Sequence, residues 1–102
     1  MSPSLTSLAM SDPWTEWHTV ATNGVELHYV EKGAGTPIIL VHGNGATDAR
    51  TWEAQVIPFA TRWRVVAYSR RYHYPNAWVN GTPGLNSTQV HADDLYGLIR
   101  NL

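Results

Sequence analysis

The most constraining feature of the sequence is an apolar run from Pro37 to Val41, which ends at the glycine-rich residues 43–45. Every position after Pro37 is apolar, rather than every second one, and this pattern is typical of a strand covered on both faces. A second buried strand, Arg64 to Tyr68, follows a segment in which large apolar residues have helical spacing. Strand, helix and strand in this order predict a right-handed parallel crossover in an α/β fold, with the first strand central.

The helical segment between these strands contains its own start and break signals. Asp48 or Thr51 can cap its beginning, because both side chains accept hydrogen bonds from free backbone amides. Pro58 has no amide hydrogen and is tolerated best in the first turn of a helix. The sequence therefore predicts a broken helix, with Pro58 opening its second part.

Asn23-Gly24 tolerates the positive φ angles of a two-residue turn and predicts a hairpin between residues 16–22 and 25–31. The second strand alternates apolar and polar residues, which predicts one buried and one wet face.

Residues 72–85 are rich in Tyr, Pro, Asn and Gly and predict an irregular loop. Residues 86–102 predict a helix, with Asn86 and Gln89 as a capping box.

Length and composition limit the function classes. The 102 residues suffice for one domain, which we place at residues 14–102 after a flexible tail at residues 1–13. The net charge of −1 gives no basic surface, so nucleic acid is excluded as a partner. The chain has no cysteine, which excludes a disulfide framework and a thiolate nucleophile. It lacks the run of about 18 apolar residues that spans a bilayer, so we expect no membrane partner and, by default, a cytoplasmic location.

Four segments, taken in order, carry a family resemblance: NGVELHYVEKG, PIILVHGNGATDARTWEAQV, WRVVAYSRRYHYPN and ADDLYGLIRNL. Together they resemble the start of the α/β-hydrolase family. The most specific part is the apolar strand that leads into His42-Gly43, followed by Trp52 and then by the Arg64 to Tyr68 strand. The resemblance implies the N-terminal part of an α/β-hydrolase fold, with an antiparallel hairpin, a parallel strand-helix-strand unit, a following helix and an incomplete sheet.

The resemblance also implies a role for the turn after the third strand. In the family this turn donates a backbone N–H to the oxyanion hole, which holds the negative charge that develops on a carbonyl oxygen. Carried over to this sequence, the donor is Asn44, and His42, Gly43 and Gly45 complete the oxyanion loop. His42 is then structural and not the catalytic base.

The family nucleophile lies in G-x-S-x-G, or in a variant with Asp, on a tight turn after the fifth strand. This motif does not occur in the sequence, so we expect nucleophile, acid and catalytic His to be absent and the chain alone to be inactive. The resemblance implies a parent enzyme without cofactor, an esterase-like serine hydrolase with a small-molecule substrate. The alternatives are an epoxide hydrolase or dehalogenase with an Asp nucleophile, and a non-catalytic binding module or a fragment without function.

One stretch departs from the family pattern. After its fourth strand the family has Asp, any residue, Arg, Gly, any residue, Gly, with Ser two positions later. The corresponding stretch here runs from Ser69 to Asn76 and keeps the Arg and a following His, but neither the Asp nor the two Gly. This departure indicates a divergent branch.

The residues present offer a few other candidate sites. Ser69 with His73 or His91 and Asp93 or Asp94 has the composition of a triad, but Ser69 has no glycine elbow and is interpreted as a loop hydroxyl. The histidines lack the His-x-His and His-x-x-x-His spacings of a metal site, and we predict no metal. Two of them are interpreted as wet strand residues: His18 and His28.

Two charged and several aromatic residues follow the second buried strand. Arg70 and Arg71 could clamp an anion, although a salt bridge or a solvated loop is the favoured interpretation. An aromatic set either lines the mouth of a substrate pocket or packs within the loop: Tyr68, Tyr72, Tyr74 and Trp78. In the family's strand order the Pro37 to Val41 strand lies beside the fifth strand, so without it we predict self-association through an exposed strand edge.

Overall fold

A computed structural model of the chain describes residues 13–43, 45, 47–76 and 87–102. Its four strands are β1 (His18–Thr22), β2 (Val25–Lys32), β3 (Pro37–Val41) and β4 (Arg64–Tyr68). Its two α-helices are α1 (Glu53–Ala60) and α2 (Thr88–Asn101), and short 3₁₀ helices span Pro13–Thr15 and Ala49–Trp52. Residues 1–12 and 77–86 lie outside the described residues, so the predicted tail and most of the predicted loop at 72–85 stay predictions.

The strands form one mixed sheet in the order β1-β2-β4-β3. The β1–β2 and β2–β4 pairs are antiparallel, whereas β3 and β4 are parallel, with Ile39 opposite Val66. This arrangement confirms the hairpin and the parallel strand-helix-strand unit. Within the described residues β4 is the inner strand and β3 pairs on one side only, which is the exposed edge expected when the fifth strand is absent; a central position of β3 in the complete sheet stays a prediction. Val41 at the end of β3 is accordingly 41% exposed, and self-association through this edge stays a prediction.

The hairpin turn has the predicted geometry, with φ of 49° at Asn23 and 81° at Gly24. Leu27, on one face of β2, packs in an apolar cluster with Leu98 of α2. The opposite face was predicted to be wet, but Val30 is buried there in a second cluster with Val56 of α1. The reason is the layering: β2 is an inner strand, and a helix packs on each face of the sheet.

The segment before α1 is broken as predicted, but at a different place. Asp48 caps the 3₁₀ helix Ala49–Trp52 by accepting the Arg50 amide at 2.9 Å, and α1 then begins directly at Glu53. Pro58 therefore lies in the last turn of α1 and not in the first turn of a second helix. Because α1 ends two residues later, at Ala60, the missing amide costs the helix one hydrogen bond near its end.

The cap of α2 also differs from the prediction. The Ser87 hydroxyl, and not Asn86, accepts the Val90 amide, at 3.2 Å. Gln89 lies inside the helix and donates to Asp93 at 2.8 Å, so it does not complete a capping box. Asn86 is outside the described residues. Within the described residues, neither helix is long and apolar enough to cross a membrane.

A buried ion pair joins α2 to the chain after β4. Arg71 donates through Nε and Nη2 to the two carboxylate oxygens of Asp94, each at 2.9 Å, and the two side chains are only 6% and 2% exposed. Asn23 of the hairpin turn donates to Asp94 at 3.0 Å, and its carbonyl accepts Arg71 at 3.1 Å. The hydrogen bond to Asp94 raises the pKa of Arg71. Of the two interpretations favoured for Arg71, the structure confirms the salt bridge.

We expect Arg71→Met to lower the free energy of unfolding by about 3–5 kcal/mol, because it leaves Asp94 buried without its partner. The matched control is Arg64→Met, which breaks the Arg64–Glu31 pair, where the side chains are 34% and 29% exposed. Because that pair is partly exposed to solvent and screened, the control should cost much less than Arg71→Met. Urea denaturation of both variants measures the difference, and equal losses would contradict a special role for the Arg71 pair.

Gly33 and Gly24 allow a second matched test. Their φ values are nearly the same, +84° and +81°, but a Cβ at Gly33 would overlap the carbonyl oxygens of Trp63 and Ala60, while a Cβ at Gly24 meets nothing within 4 Å. Gly24→Ala should cost only the left-handed backbone strain of about 1–2 kcal/mol. Gly33→Ala should cost roughly 1–3 kcal/mol more, because the backbones must separate. Urea denaturation compares the two, and an equal cost would show that the close approach is not needed.

Candidate active site

The carboxyl ends of the two parallel strands lie together, with Val41 of β3 opposite Tyr68 of β4. The chain that follows β3 carries the predicted oxyanion loop, and the chain that follows β4 forms a loop at residues 69–76. Ligands of open α/β sheets bind outside the carboxyl ends of the strands. This edge is therefore the candidate active site, and the two loops are its walls.

His42 ties the two loops together. It is 3% exposed, and its Nε2 accepts the Arg70 amide at 2.9 Å. Since a backbone amide can only donate, Nε2 is unprotonated, and the proton lies on Nδ1, which donates to the Gly43 carbonyl at 2.6 Å. Both ring nitrogens are thus used within the protein, and the neutral ring connects the end of β3 to the start of the 69–76 loop.

The surroundings of His42 keep it neutral. Its pKa is lowered from 6.5 to about 4, mainly because the ring is buried; the nearby His73 and Arg70 also lower it, while the hydrogen bond to the Gly43 carbonyl and the Asp48 charge raise it. The His73 ring lies edge-on to the His42 ring, with 4.6 Å between centroids. A proton added to His42 would break the bond from the Arg70 amide and would face these two groups.

The oxyanion loop is described on both sides of its central residue. Asn44 itself lies outside the described residues, so its backbone N–H as the oxyanion donor stays a prediction. A Cβ built on Gly43 or Gly45 meets no atom within 4 Å, so the space beside both glycines is open. Gly45 has a φ of +96°, and its carbonyl accepts the Thr47 amide at 2.8 Å. The backbone here is open to the approach of a ligand.

Ser69 has a structural role. It is fully buried, and its hydroxyl accepts the Ala49 amide at 3.0 Å, which satisfies the first amide of the 3₁₀ helix Ala49–Trp52. The carboxylates considered as partners are used elsewhere: Asp94 binds Arg71, and Asp93 accepts Gln89. Within the described part of the chain, no histidine or carboxylate contacts the Ser69 hydroxyl. The alternative triad is therefore not assembled, as the sequence indicated.

A cavity of about 290 Å³ opens at this edge. Its lining residues come from both loops: Gly45, Thr47, Asp48, Tyr72, His73 and Tyr74. Asp48 is paired with Arg50 at 2.8 Å, and this bond lowers the pKa of Asp48, so its charge is present but neutralised. The Arg50 guanidinium in turn lies 4.3 Å from the centroid of the Tyr74 ring. Neither the Asp48–Arg50 pair nor its contact with Tyr74 was predicted.

Asn76, which the sequence analysis did not single out as a site residue, fastens the 69–76 loop to β2. Its Oδ1 accepts both the backbone amide and the Nδ1 of His28, at 2.6 and 2.8 Å. Its Nδ2 donates to the carbonyls of Ser69 and Arg70, at 2.6 and 3.0 Å. The sequence feature that could have identified Asn76 as a site residue was its position, which in the family pattern is occupied by Ser. A second cavity, of about 300 Å³, lies between this loop and the start of β2.

The remaining predicted residues divide into core, cavity and surface. Tyr68 is buried in the core, Tyr72 and Tyr74 line the cavity, and Trp78 lies outside the described residues. His18 is exposed and stacks near Tyr29, with 5.3 Å between ring centroids. His28 was predicted to be wet, but it is half-buried because Asn76 binds it from the neighbouring loop. The expectations of no metal and no cofactor stay predictions.

Known proteins share both sequence and fold with the chain. It is 32% identical over 84 residues to the uncharacterized hydrolase YraK of Bacillus subtilis (strain 168), a match that covers 82% of the chain and 30% of YraK. Epoxide hydrolase VrEH1 from Vigna radiata has a TM-score of 0.77 at 26% identity, over 83% of the chain and 27% of that structure. A thermophilic esterase from Thermogutta terrifontis has a TM-score of 0.70 at 28% identity, over 83% and 31%. No protein-family model matches the chain.

The chain spans about a third or less of the length of each of these relatives. The relatives include hydrolases that act on different bonds, so they share a fold and an arrangement of strands rather than one substrate. The mixed sheet, the helix on each face and the parallel β3–β4 pair correspond to the N-terminal portion of that fold. By sequence and by structure, the chain has the fold of the N-terminal portion of the α/β-hydrolases.

Proposed function

We propose that this chain supplies the oxyanion side of the active site of an α/β-hydrolase that cleaves esters without a cofactor. The observation that carries the proposal is the open glycine turn after β3, which borders a cavity at the carboxyl ends of β3 and β4. The similarity to an esterase structure supports it. The nucleophile, its acid partner and the catalytic His then come from chain that follows the portion described here, since G-x-S-x-G does not occur in these 102 residues.

The proposed chemistry is acyl transfer to a serine. The serine hydroxyl gives its proton to the catalytic His as its oxygen forms a bond to the ester carbonyl carbon, and the electron pair of the carbonyl π bond moves onto the carbonyl oxygen. The backbone N–H of Asn44 binds that negative oxygen. The C–O bond to the alcohol then breaks, the His gives the leaving oxygen its proton, and water releases the acid from the serine. In this scheme Asn44 stabilises charge, and His42 positions the turn.

The similarity to an epoxide hydrolase structure favours a second candidate, with an Asp nucleophile that opens an epoxide. The two candidates use the same sheet and differ in the residue at the nucleophile turn. They therefore predict different substrates for one and the same N-terminal portion. The chain on its own should hydrolyse neither an ester nor an epoxide in either case.

A chimera tests the proposed oxyanion role. The segment of the Thermogutta terrifontis esterase that aligns with this chain is replaced by the chain, and hydrolysis of p-nitrophenyl acetate is measured. Asn44→Pro removes the backbone N–H and should lower kcat by roughly 10²–10³-fold, the usual cost of losing one oxyanion donor. Asn44→Ala, the matched control, keeps that N–H and should stay within a few-fold of the parent chimera.

Equal activities of the proline and alanine variants would contradict the role of Asn44. Hydrolysis of styrene oxide, but not of the ester, by the natural full-length enzyme would favour the second candidate. Circular dichroism of each chimera shows whether the proline variant is folded. A loss of activity counts against or for the proposal only if that variant is folded.

The low pKa of His42 predicts how stability depends on pH. Because the folded pKa is about 4 and the ordinary value is 6.5, the unfolded chain binds a proton more readily between these values. The folded state is therefore fully stabilised above pH 6.5 and loses up to about 3 kcal/mol as the pH falls through this range. His42→Gln keeps an acceptor for the Arg70 amide but does not titrate, so it should remove this part of the pH dependence.

Urea denaturation at several pH values between 4 and about 7.5 measures the effect. His18→Gln, at an exposed position on β1, is the control for the same substitution. A profile that is the same for His42→Gln and the parent would show that His42 does not hold the loops as a neutral ring. A catalytic base would instead need a pKa near the working pH.

A further inference from the structure

Tyr72 has a backbone conformation that rarely suits its side chain. Its φ is +69°, in the left-handed region, where the Cβ of an L-residue comes close to the following carbonyl oxygen. Glycine adopts this region without cost, and the family pattern has Gly at this position, after the Arg that corresponds to Arg71. A bulky residue with positive φ is a true outlier. The chain therefore keeps a tyrosine where the backbone favours glycine.

The tyrosine is not retained for the core of the protein. Tyr72 is half-buried and is not among the residues of the two apolar clusters on the faces of the sheet. Tyr72 instead lines both cavities beside the 69–76 loop, the one of about 290 Å³ at the carboxyl ends of β3 and β4 and the one of about 300 Å³ beside β2. Strained residues of this kind concentrate at functional sites.

The Arg71–Asp94 pair lies beside the ring of Tyr72. The guanidinium carbon of Arg71 is 6.0 Å from the centroid of that ring. Because Arg71 is itself fixed by two bonds to the buried Asp94, Tyr72 is presented by a rigid support. A rigid aromatic side chain offers a large contact surface with little loss of conformational entropy.

We propose that Tyr72 is a specificity-determining residue and that the cavity at the carboxyl ends of β3 and β4 takes an uncharged aromatic group of the substrate. The inference rests on the proposed function and names its substrate class as esters with an aromatic ring next to the scissile carbonyl. Three ring-bearing residues contribute to the cavity lining, Tyr72, His73 and Tyr74, together with Gly45 of the oxyanion loop and Thr47 just after it.

The charges around the cavity support an uncharged ligand. Asp48 is the carboxylate of the lining, and Arg50 neutralises it at 2.8 Å, while the same guanidinium is stacked over Tyr74. Arg71, behind Tyr72, is neutralised by Asp94. A ligand charge would therefore gain little from either pair, whereas an aromatic ring would gain offset or edge-on contacts with the aromatic lining.

Binding of two matched ketones to the 102-residue chain tests the proposal. The probes are acetophenone and cyclohexyl methyl ketone, which have the same carbonyl group and rings of six carbons, one aromatic and one saturated. NMR titration of backbone amide shifts gives the dissociation constants. The parent chain should bind acetophenone about 2- to 10-fold more tightly than the saturated ketone, the range that aromatic contacts provide.

Three substitutions at position 72 separate the effect of the aromatic ring on binding from the effect of backbone strain on stability. Tyr72→Gly should weaken acetophenone binding until the two ketones bind alike, and it should raise the midpoint of thermal unfolding by roughly 4–8 °C, because the left-handed strain is relieved. Tyr72→Phe keeps the ring and should keep the preference for acetophenone. Tyr72→Leu keeps an apolar side chain without a ring and should lose that preference.

The inference is overturned if the parent chain does not distinguish the two ketones, or if Tyr72→Gly binds acetophenone as the parent does. It is overturned as well if Tyr72→Gly lowers the unfolding midpoint, since Tyr72 would then be a packing residue, or if Tyr72→Phe loses the preference. These measurements need no turnover, so they fail or succeed independently of the Asn44 chimera. If the ketone preference is absent but Asn44→Pro still lowers the activity of the chimera relative to Asn44→Ala, only the inference about Tyr72 fails.

Discussion

The buried Arg71–Asp94 pair is the contact on which the rest of the site depends. It joins three parts of the chain that are far apart in sequence: the loop after β4, helix α2 and, through Asn23, the hairpin turn. A buried charge is costly unless its partner and its other hydrogen bonds are in place. The pair therefore couples the position of the cavity-lining loop to the packing of α2 against the sheet.

A second connection, through neutral His42, fixes the same loop to the end of β3. Its two ring nitrogens bond backbone groups on both sides of the candidate site, and burial opposes the protonation that would break the bond from the Arg70 amide. Asn76 makes a third connection, to β2. The walls of the cavity are thus held by polar contacts to the backbone, and the side chains that face the cavity are free to differ from the family pattern.

Tyr72 illustrates this division between support and contact. The left-handed backbone at this position is maintained by the anchors on each side of it, while the side chain departs from the glycine of the family pattern. A residue that carries backbone strain and lines two cavities is best explained by what it contacts there. Stability and ligand contact would then favour different residues at one position, a common relation at functional sites.

Local patterns in the sequence were sufficient for the strands and the hairpin turn, because apolar periodicity and the Asn23-Gly24 turn depend on near neighbours. The fold family followed from the resemblance of four segments to the start of the α/β-hydrolases. That resemblance also indicated the glycine turn after β3 as part of a site. The burial of Val30 and the place of Pro58 were decided only by tertiary structure, since they depend on which elements pack together. The same holds for Arg71 with Asp94, Asp48 with Arg50, and Asn76. Their partners are set by long-range packing or by side-chain geometry, and burial then determines how strongly each charge or hydrogen bond acts.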